Sequence, residues 1–348
     1  VSALRLFGTA FGVLGLVLSF LFFRHRRFSR FDFIIGTLAS LFLLGISIYP
    51  PIASILRDIL RLHQDQRGRL IALLVLSSIL LWGLLLYTRM KQHLAEERFD
   101  RLVRALGFRD FAPGQPLENV IKPITVVIPA YEEEKNIGKV LKEMPREVMG
   151  KEATALVVID GGEDNTEGVV KEAGFPAIRS PIHRGGGAAL KLGFDIAVAG
   201  GAEIIVTMDA DGQHRPEEIP VLVEPILAGE ADMVIGSRIL GRSMARNRLR
   251  SFGVRLFSRI INLLAATHIS DCSSGFRAVR AEVLKKVHLR QDQYHTAELI
   301  IDAAKRGLRL TEAPITILSR HAGQSKKGKD WRYGLHFIKT ILTTWWRP

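Results

Sequence analysis

From Lys122 onward the chain alternates short apolar, β-rich runs with helical patterns, and this rhythm limits the fold more than any other feature. The runs are "ITVVIP" (124–129), "ATALVVI" (153–159), "AEIIVTM" (202–208) and "ADMVIG" (231–236). Between them lie helical patterns such as "NIGKVLKEM" (136–144) and "GAALKLGFDIAVA" (187–199). Strands separated by helices predict an α/β domain with a Rossmann-like, mostly parallel sheet and helices on both faces. In such sheets ligands bind at the carboxyl ends of the strands.

The first ninety residues follow a different pattern. Segment 4–23 is almost purely apolar, and 33–49 and 70–87 are free of charge. A bilayer-spanning helix takes roughly 20 such residues. The expectation is an α-helical transmembrane domain of three spans over residues 1–90. Basic residues follow the first apolar core instead of preceding it, so it reads as a span and not as a signal peptide. The loop "RHRRFSR" (24–30) has four Arg and no acid, which predicts a cytoplasmic loop and a cytoplasmic face for everything after residue 87. "KQHLAEERFDRLVRALGF" (91–108) reads as an amphipathic connecting helix, and "APGQP" (112–116) as a break before the α/β domain, 122–330.

Charge is uneven. Residues 1–100 hold 12 basic and 6 acidic side chains, 101–240 hold 15 and 22, and 241–348 hold 21 and 7. A basic C-terminal third beside membrane spans suits an anionic lipid surface or a phosphorylated lipid. No helix-turn-helix, zinc or aromatic-rich RNA motif accompanies it, so no nucleic-acid partner is expected. Segment 249–267 and the C-terminal 331–348 both read as amphipathic helices at the membrane interface. A lone Cys272 excludes an internal disulfide and fits a reducing compartment.

The strand ends carry the chemistry. "PAYEEEKNI" follows the first strand, "DGGEDNT" the second and "DADGQH" the third, and "HRGGGAAL" precedes a helix. In an extended segment, side chains at i and i+2 share a face, so Asp209, Asp211 and Gln213 are expected to project together as three oxygen ligands. Hard divalent cations such as Mg²⁺ or Mn²⁺ take oxygen ligands, often one or two carboxylates plus substrate phosphates. Asp and Gly are also common turn formers, so an ordinary acidic turn is the competing reading. The glycines at 185–187 permit close backbone approach, and a helix N-terminus favours anions.

The ordered series "VVIPAYEEEKNI", "VVIDGGEDNT", "HRGGGAAL", "MDADGQHRPEEI", "IGSR", "SDCSSGFRA" and "RHAGQSK", over about 122–327, resembles the family 2 glycosyltransferases of GT-A fold. More narrowly it is similar to the dolichyl- or polyprenyl-phosphate mannose and glucose synthases. That resemblance implies transfer of a hexose from a nucleotide sugar, GDP-mannose or UDP-glucose, to a polyprenyl or dolichyl phosphate. It implies donor contacts from Pro129, Ala130, Tyr131, Glu133, Asp160, Asp164, Gly187 and Asp209, and a metal on Asp209, Asp211 and Gln213. It assigns the acceptor phosphate to Arg238, Arg246, Arg248 and Ser274. Asp271 would orient the acceptor or act as base, beside Asp211 and Arg238, and Arg320 and Lys326 would close over the diphosphate. Glu298 matches a family acidic position, and His214 receives no role. Two departures stand out. The family usually has Asn-Glu where this chain has Glu132–Glu133, and often Asp-Asp-Gly-Ser where it has Ile159–Asp160–Gly161–Gly162. Rival readings are a processive polysaccharide synthase, whose Gln/Arg-x-x-Arg-Trp motif is missing, and a non-catalytic membrane scaffold. A homo-oligomer is left open.

Overall fold

The computed structural model describes residues 3–25, 30–49, 67–111, 116–244, 248–287, 289–290, 294–319 and 331–347. It divides into two units, 1–100 with 346–348, and 101–345.

In the first unit, α1 (Ala3–Arg24) and α2 (Arg30–Ile48) pair through small residues. A Cβ on Gly15 would lie 2.5 Å from Ser40 Oγ, and Gly8, Gly12 and Gly36 face Ser47, Leu44 and Ser19 just as closely. Only glycine allows backbones this near. Ser40 and Ser47 hydroxyls donate back to Gly36 and Leu43 carbonyls, so neither polar group is left open. Large apolar side chains point away from the pair, among them Phe7, Phe20, Leu38 and Phe42. The expected spans 4–23 and 70–87 fall within helices, and 33–49 runs one residue past the end of α2 at Ile48. Among the described residues one segment, Arg5–Arg24, is long and apolar enough to cross a bilayer, with a mean hydropathy of 2.2. The stretches 26–29, 50–66 and 112–115, which carry much of the orientation and boundary reading, lie outside the described residues.

The expected joint between a third span and a connecting helix is absent. Arg67–Asp110 is one continuous 44-residue helix, α3. The sequence offers a reason: no proline falls between 67 and 110, and the helix formers of 88–106 carry the turn pattern through the change from apolar to charged.

The second unit is the α/β domain. Its strands are β1 (Ile124–Ala130), β2 (Glu147–Val148), β3 (Lys151–Ile159), β4 (Ala177–Arg179), β5 (Ile204–Thr207), β6 (Met233–Ser243), β7 (Arg277–Arg280) and β8 (Leu310–Ile317). They form one sheet in the order β2-β3-β1-β5-β7-β6-β8, with β4 beside β3. Pairings β1–β3, β1–β5, β3–β4 and β6–β8 are parallel. β7 runs against both β5 and β6. The short β2 also runs against β3, so among the described residues the sheet has four parallel and three antiparallel pairings, and the periodicity does not signal the reversed β7.

Alternation along β1 splits the core. Val127 joins a cluster with α7 (Gly186–Ala199), α9 (Arg248–Ala265), α11 (His295–Lys305) and α12 (Trp331–Trp346). Ile124, Val126 and Ile128 join another with α5 (Glu134–Lys142), α6 (Thr166–Glu172) and α8 (Ile219–Leu227). Helices therefore cover both faces. The last turns of α3 belong here: Gly107 abuts Leu192, and Arg104 pairs with Asp195 at 2.6 Å. The short α4 (Leu117–Val120) and α10 (Ala281–Leu284) complete the elements. The C-terminal helix is not simply a surface helix. Phe337, Thr340, Ile341 and Thr344 are buried in this unit, while Leu335 and Leu342 are exposed.

Candidate active site

Topology brings the polar strand ends to one edge. Ala130 stands beside Ile159 and Val127 beside Thr207, so β1, β3 and β5 finish together. Because β7 is antiparallel, its start arrives at that edge: Arg277 pairs with Thr207 and with Ile235. The loop 271–276 is thereby set against the turn after β5, and Thr207 Oγ1 donates to Gly275 O at 2.7 Å.

That turn is not extended. Gly212 has φ +72°, and Asp211 Oδ1 accepts the Gln213 N–H at 3.1 Å. The i, i+2 argument for a shared face is therefore corrected in its premise: Asp209, Asp211 and Gln213 lie on a tight turn and not on an extended strand. Asp211 is buried, whereas the Asp209 side chain is 39% exposed. Gln213 is pinned on the end of β8, donating Nε2–H to Leu318 O at 3.2 Å and accepting the Leu318 N–H on its own carbonyl. This leaves Oε1 as its side-chain acceptor. Among the described residues no three His, Cys, Asp or Glu side chains form a metal cage. The donor set is two carboxylates and an amide oxygen, all hard ligands, which suits Mg²⁺ or Mn²⁺ shared with phosphates.

The loops after β1 and β3 are laced together. Asp164 accepts the Glu134 N–H at 3.0 Å and the Thr166 hydroxyl at 2.7 Å, and that hydroxyl accepts the Glu133 N–H. Glu133 accepts from Asn136 Nδ2 at 2.7 Å. Asp160 is buried, and its carboxylate takes the Arg184 and Gly185 N–H groups at 2.9 and 2.6 Å. Of the expected nucleotide contacts, Asp160, Asp164 and Glu133 thus brace the loops that follow β1 and β3. Pro129 and Ala130 form the end of β1, Ala130 O accepting the Asp160 N–H. Gly187 is buried in the first turn of α7, after Gly185 at φ +106°. Tyr131 stands with its ring 4.0 Å from that of His183, and the neighbouring Glu132 carboxylate pushes its hydroxyl pKa up.

On the acceptor side, Arg238 grips Asp271 with two bonds, Nε to Oδ2 at 2.6 Å and Nη2 to Oδ1 at 2.9 Å, and Nη2 also reaches Ser273. Asp271 is fully buried. Burial alone would raise its pKa, but the bonds to Arg238 outweigh this and hold it below the ordinary carboxylate value. For Arg238, burial would lower the pKa, yet the same pair raises it. An enclosed, low-pKa carboxylate is a poor proton acceptor, so the expected base is corrected to a partner of Arg238. Ser274 is also buried, its hydroxyl accepting the Phe276 N–H. Arg248 opens α9; Arg246, Arg320 and Lys326 lie outside the described residues. Glu298 is fully buried and accepts the Arg290 N–H on both oxygens at 3.0 Å.

Sequence reasoning passes over Arg277. It is buried and donates to the Ser274, Thr296 and Cys272 carbonyls at 2.8, 2.6 and 3.0 Å, which fixes the loop beside the site. Burial lowers its pKa to about 10, which still leaves it charged at neutral pH. The available signal is an arginine inside "GFRAV", where strand neighbours are apolar. His214 is the other omission.

Comparison with known proteins agrees with this architecture. Residues 125–288 match the model of glycosyl transferase family 2. The chain is 33% identical over 216 residues to the UDP-N-acetylglucosamine–dolichyl-phosphate N-acetylglucosaminyltransferase of Methanococcus voltae, covering 56% of this chain and 85% of that protein. It is 34% identical over 220 residues to the polyprenol monophosphomannose synthase of Mycolicibacterium smegmatis, covering 58% and 79%. Among solved structures, glucosyl-3-phosphoglycerate synthase of Mycobacterium tuberculosis, seen with Mn²⁺, UDP and glucosyl-3-phosphoglycerate, shares the fold at a TM-score of 0.53. That match has 22% identity and covers 68% of this chain and 86% of that one. With relatives this similar along most of their length, the chain belongs to family 2 of the glycosyltransferases and is a glycosyltransferase.

Proposed function

We propose that the enzyme transfers a hexose, mannose or glucose, from its nucleoside diphosphate to a polyprenyl or dolichyl phosphate, with inversion, at the cytoplasmic face of the membrane. The observation that carries this reading is the meeting of three groups at one sheet edge: the Asp209–Gln213 turn, Arg238 with its anchored Nε and Nη2, and the 271–276 loop. The names of the archaeal and mycobacterial relatives support the choice of acceptor. Exposed Phe252, Leu256 and Leu263 on α9, which also carries Arg255 and Arg259, support a lipid-facing surface near that edge. The apolar outer faces of α1 and α2 support a multi-pass anchor.

In this mechanism an acceptor phosphate oxygen attacks the anomeric carbon in line. The new C–O bond forms as the bond to the nucleoside diphosphate breaks, and the electron pair leaves on the diphosphate. A phosphate monoester has a second pKa near about 6 and is largely dianionic at neutral pH, so no base is required. Asp271 instead orients Arg238, whose Nη1 has no protein partner among the described residues and is the nitrogen offered to phosphate. Asp209, Asp211 and Gln213 would hold Mg²⁺ or Mn²⁺, which when bound supplies charge stabilisation for the leaving diphosphate. From the family resemblance alone, Arg246, Arg248, Arg320 and Lys326 would add positive charge to the two phosphates.

Membranes bearing the protein are incubated with radiolabelled GDP-mannose, UDP-glucose, UDP-galactose or UDP-N-acetylglucosamine and with polyprenyl phosphate, then extracted with organic solvent. The expected result is label in the lipid phase from GDP-mannose or UDP-glucose, dependent on added polyprenyl phosphate. Label that stays aqueous with every donor, or that enters a polymer, overturns the reading. Asp211→Ala should lower transfer by about 10²–10³-fold, and near wild-type activity would sink the metal role.

A further inference from the structure

We propose that His214 is a positioning residue that clamps Asp209 in the orientation needed to hold a divalent cation. His214 directly follows the turn, and its side chain is 5% exposed. The ring lies against Phe276, centroids 5.0 Å apart. Its Nε2 faces Asp209 Oδ2 at 3.8 Å. Its other nitrogen, Nδ1, is buried and has no hydrogen-bond partner. A buried imidazole with one orphan nitrogen is costly unless the other is in use. With the proton on Nε2, the ring presents its N–H to Asp209 and leaves only a bare acceptor unmatched.

Asp209 is confined from the other side as well. A Cβ on Gly275 would lie 2.8 Å from Asp209 Oδ1, so the backbone of the 271–276 loop walls that oxygen. Gly275 and Phe276 are consecutive, and one wall therefore fixes both the carboxylate and the ring that faces it. Arg277 fastens this wall through the Ser274 and Cys272 carbonyls. A carboxylate with a ring nitrogen facing one oxygen and backbone crowding the other has restricted rotation, and groups that orient a metal ligand in this way typically change metal affinity by about 10–100-fold.

This inference rests on the reading of Asp209 as a cation ligand, and the test separates the two. Mn²⁺ binding to the full-length protein in detergent is measured by electron paramagnetic resonance with GDP or UDP present. His214→Gln keeps an N–H at the place of Nε2; His214→Met has nearly the same shape and lacks it. The expected result is a Mn²⁺ affinity about 10–100-fold weaker for His214→Met, close to wild type for His214→Gln, with similar melting temperatures. The donor KM should rise with the Met variant while the acceptor KM stays unchanged. Equal affinities for the two variants reduce His214 to packing and overturn the proposal. If the Met variant does not fold, Gly275→Ala, which presses on the opposite oxygen, serves in its place, and unchanged Mn²⁺ binding there overturns the clamp. Failure of the wild type to bind Mn²⁺ with either nucleotide would instead remove the metal reading itself.

Discussion

A Cβ placed on Gly162 would lie 3.2 Å from Glu132 Cγ, and Glu132 itself has φ +52°. They are two of the three positions where the chain departs from its family's usual residues, Ile159 being the third, and they lie side by side. The family's Asn tolerates a left-handed backbone better than Glu, and its Ser would crowd a longer neighbour. The two departures are thus one adjustment: the longer Glu132 is accommodated by the loss of a side chain at 162. Gly162→Ser should destabilise the protein, both through its φ of +89° and through this contact. Adding Glu132→Asn should recover part of the loss, a coupling of at least about 0.5 kcal/mol in a urea-unfolding double-mutant cycle. Strict additivity would show that the positions are independent. Neither residue could be paired from sequence, since thirty positions separate them and only the alignment of β1 with β3 joins their loops.

At the scale of elements, the β6–β7 edge depends on the buried Arg238–Asp271 pair. Asp271→Asn leaves a largely enclosed guanidinium without its counter-charge, and should cost about 3–5 kcal/mol at neutral pH. The folded pKa of Asp271 is lowered, so the carboxylate contributes its full stabilisation above the unfolded value of about 3.9 and loses it as pH falls through the lower folded value. Denaturation midpoints of wild type and variant should therefore differ by a constant amount from pH 7 to about pH 4, then converge in stronger acid. A gap that closes already between pH 7 and 5 would contradict the pairing. The long parallel strands were legible because their apolar runs are bounded by turn residues, as in Ile204–Thr207 before "DADGQH". β7 was not. "RAVR" is four residues with an arginine at each end, and only its pairing with Thr207 and Ile235 makes it a strand. The same holds for Arg277 and Asp271, whose partners come from distant segments. Composition can nominate an acid near a site, but it cannot say whether that acid faces solvent or a guanidinium.

For the whole molecule, the decisive property is the quantity of apolar side chain left on the outside of α1 and α2. Phe7, Leu6, Phe31, Leu38 and Phe42 are each more than half exposed. Water would penalise that surface by roughly 25 cal/mol per Å², which is the physical basis of the proposed membrane anchor. The full-length protein should remain in the membrane pellet after an alkaline carbonate wash and after high salt. Release by salt alone would mean that only the basic C-terminal third holds it to the bilayer. The Gly–Ser seam between α1 and α2 could be foreseen only as apolar helix; which residues meet requires the pairing itself. The reversed β7 also has a consequence for how the enzyme comes into being. It pairs Thr207 with Arg277, seventy positions apart, and the clamp on Asp209 exists only once that pair is made. Contacts so distant along the chain close late, because loop entropy must be overcome first. The proposed clamp therefore waits on a long-range strand pairing and not on helix formation alone.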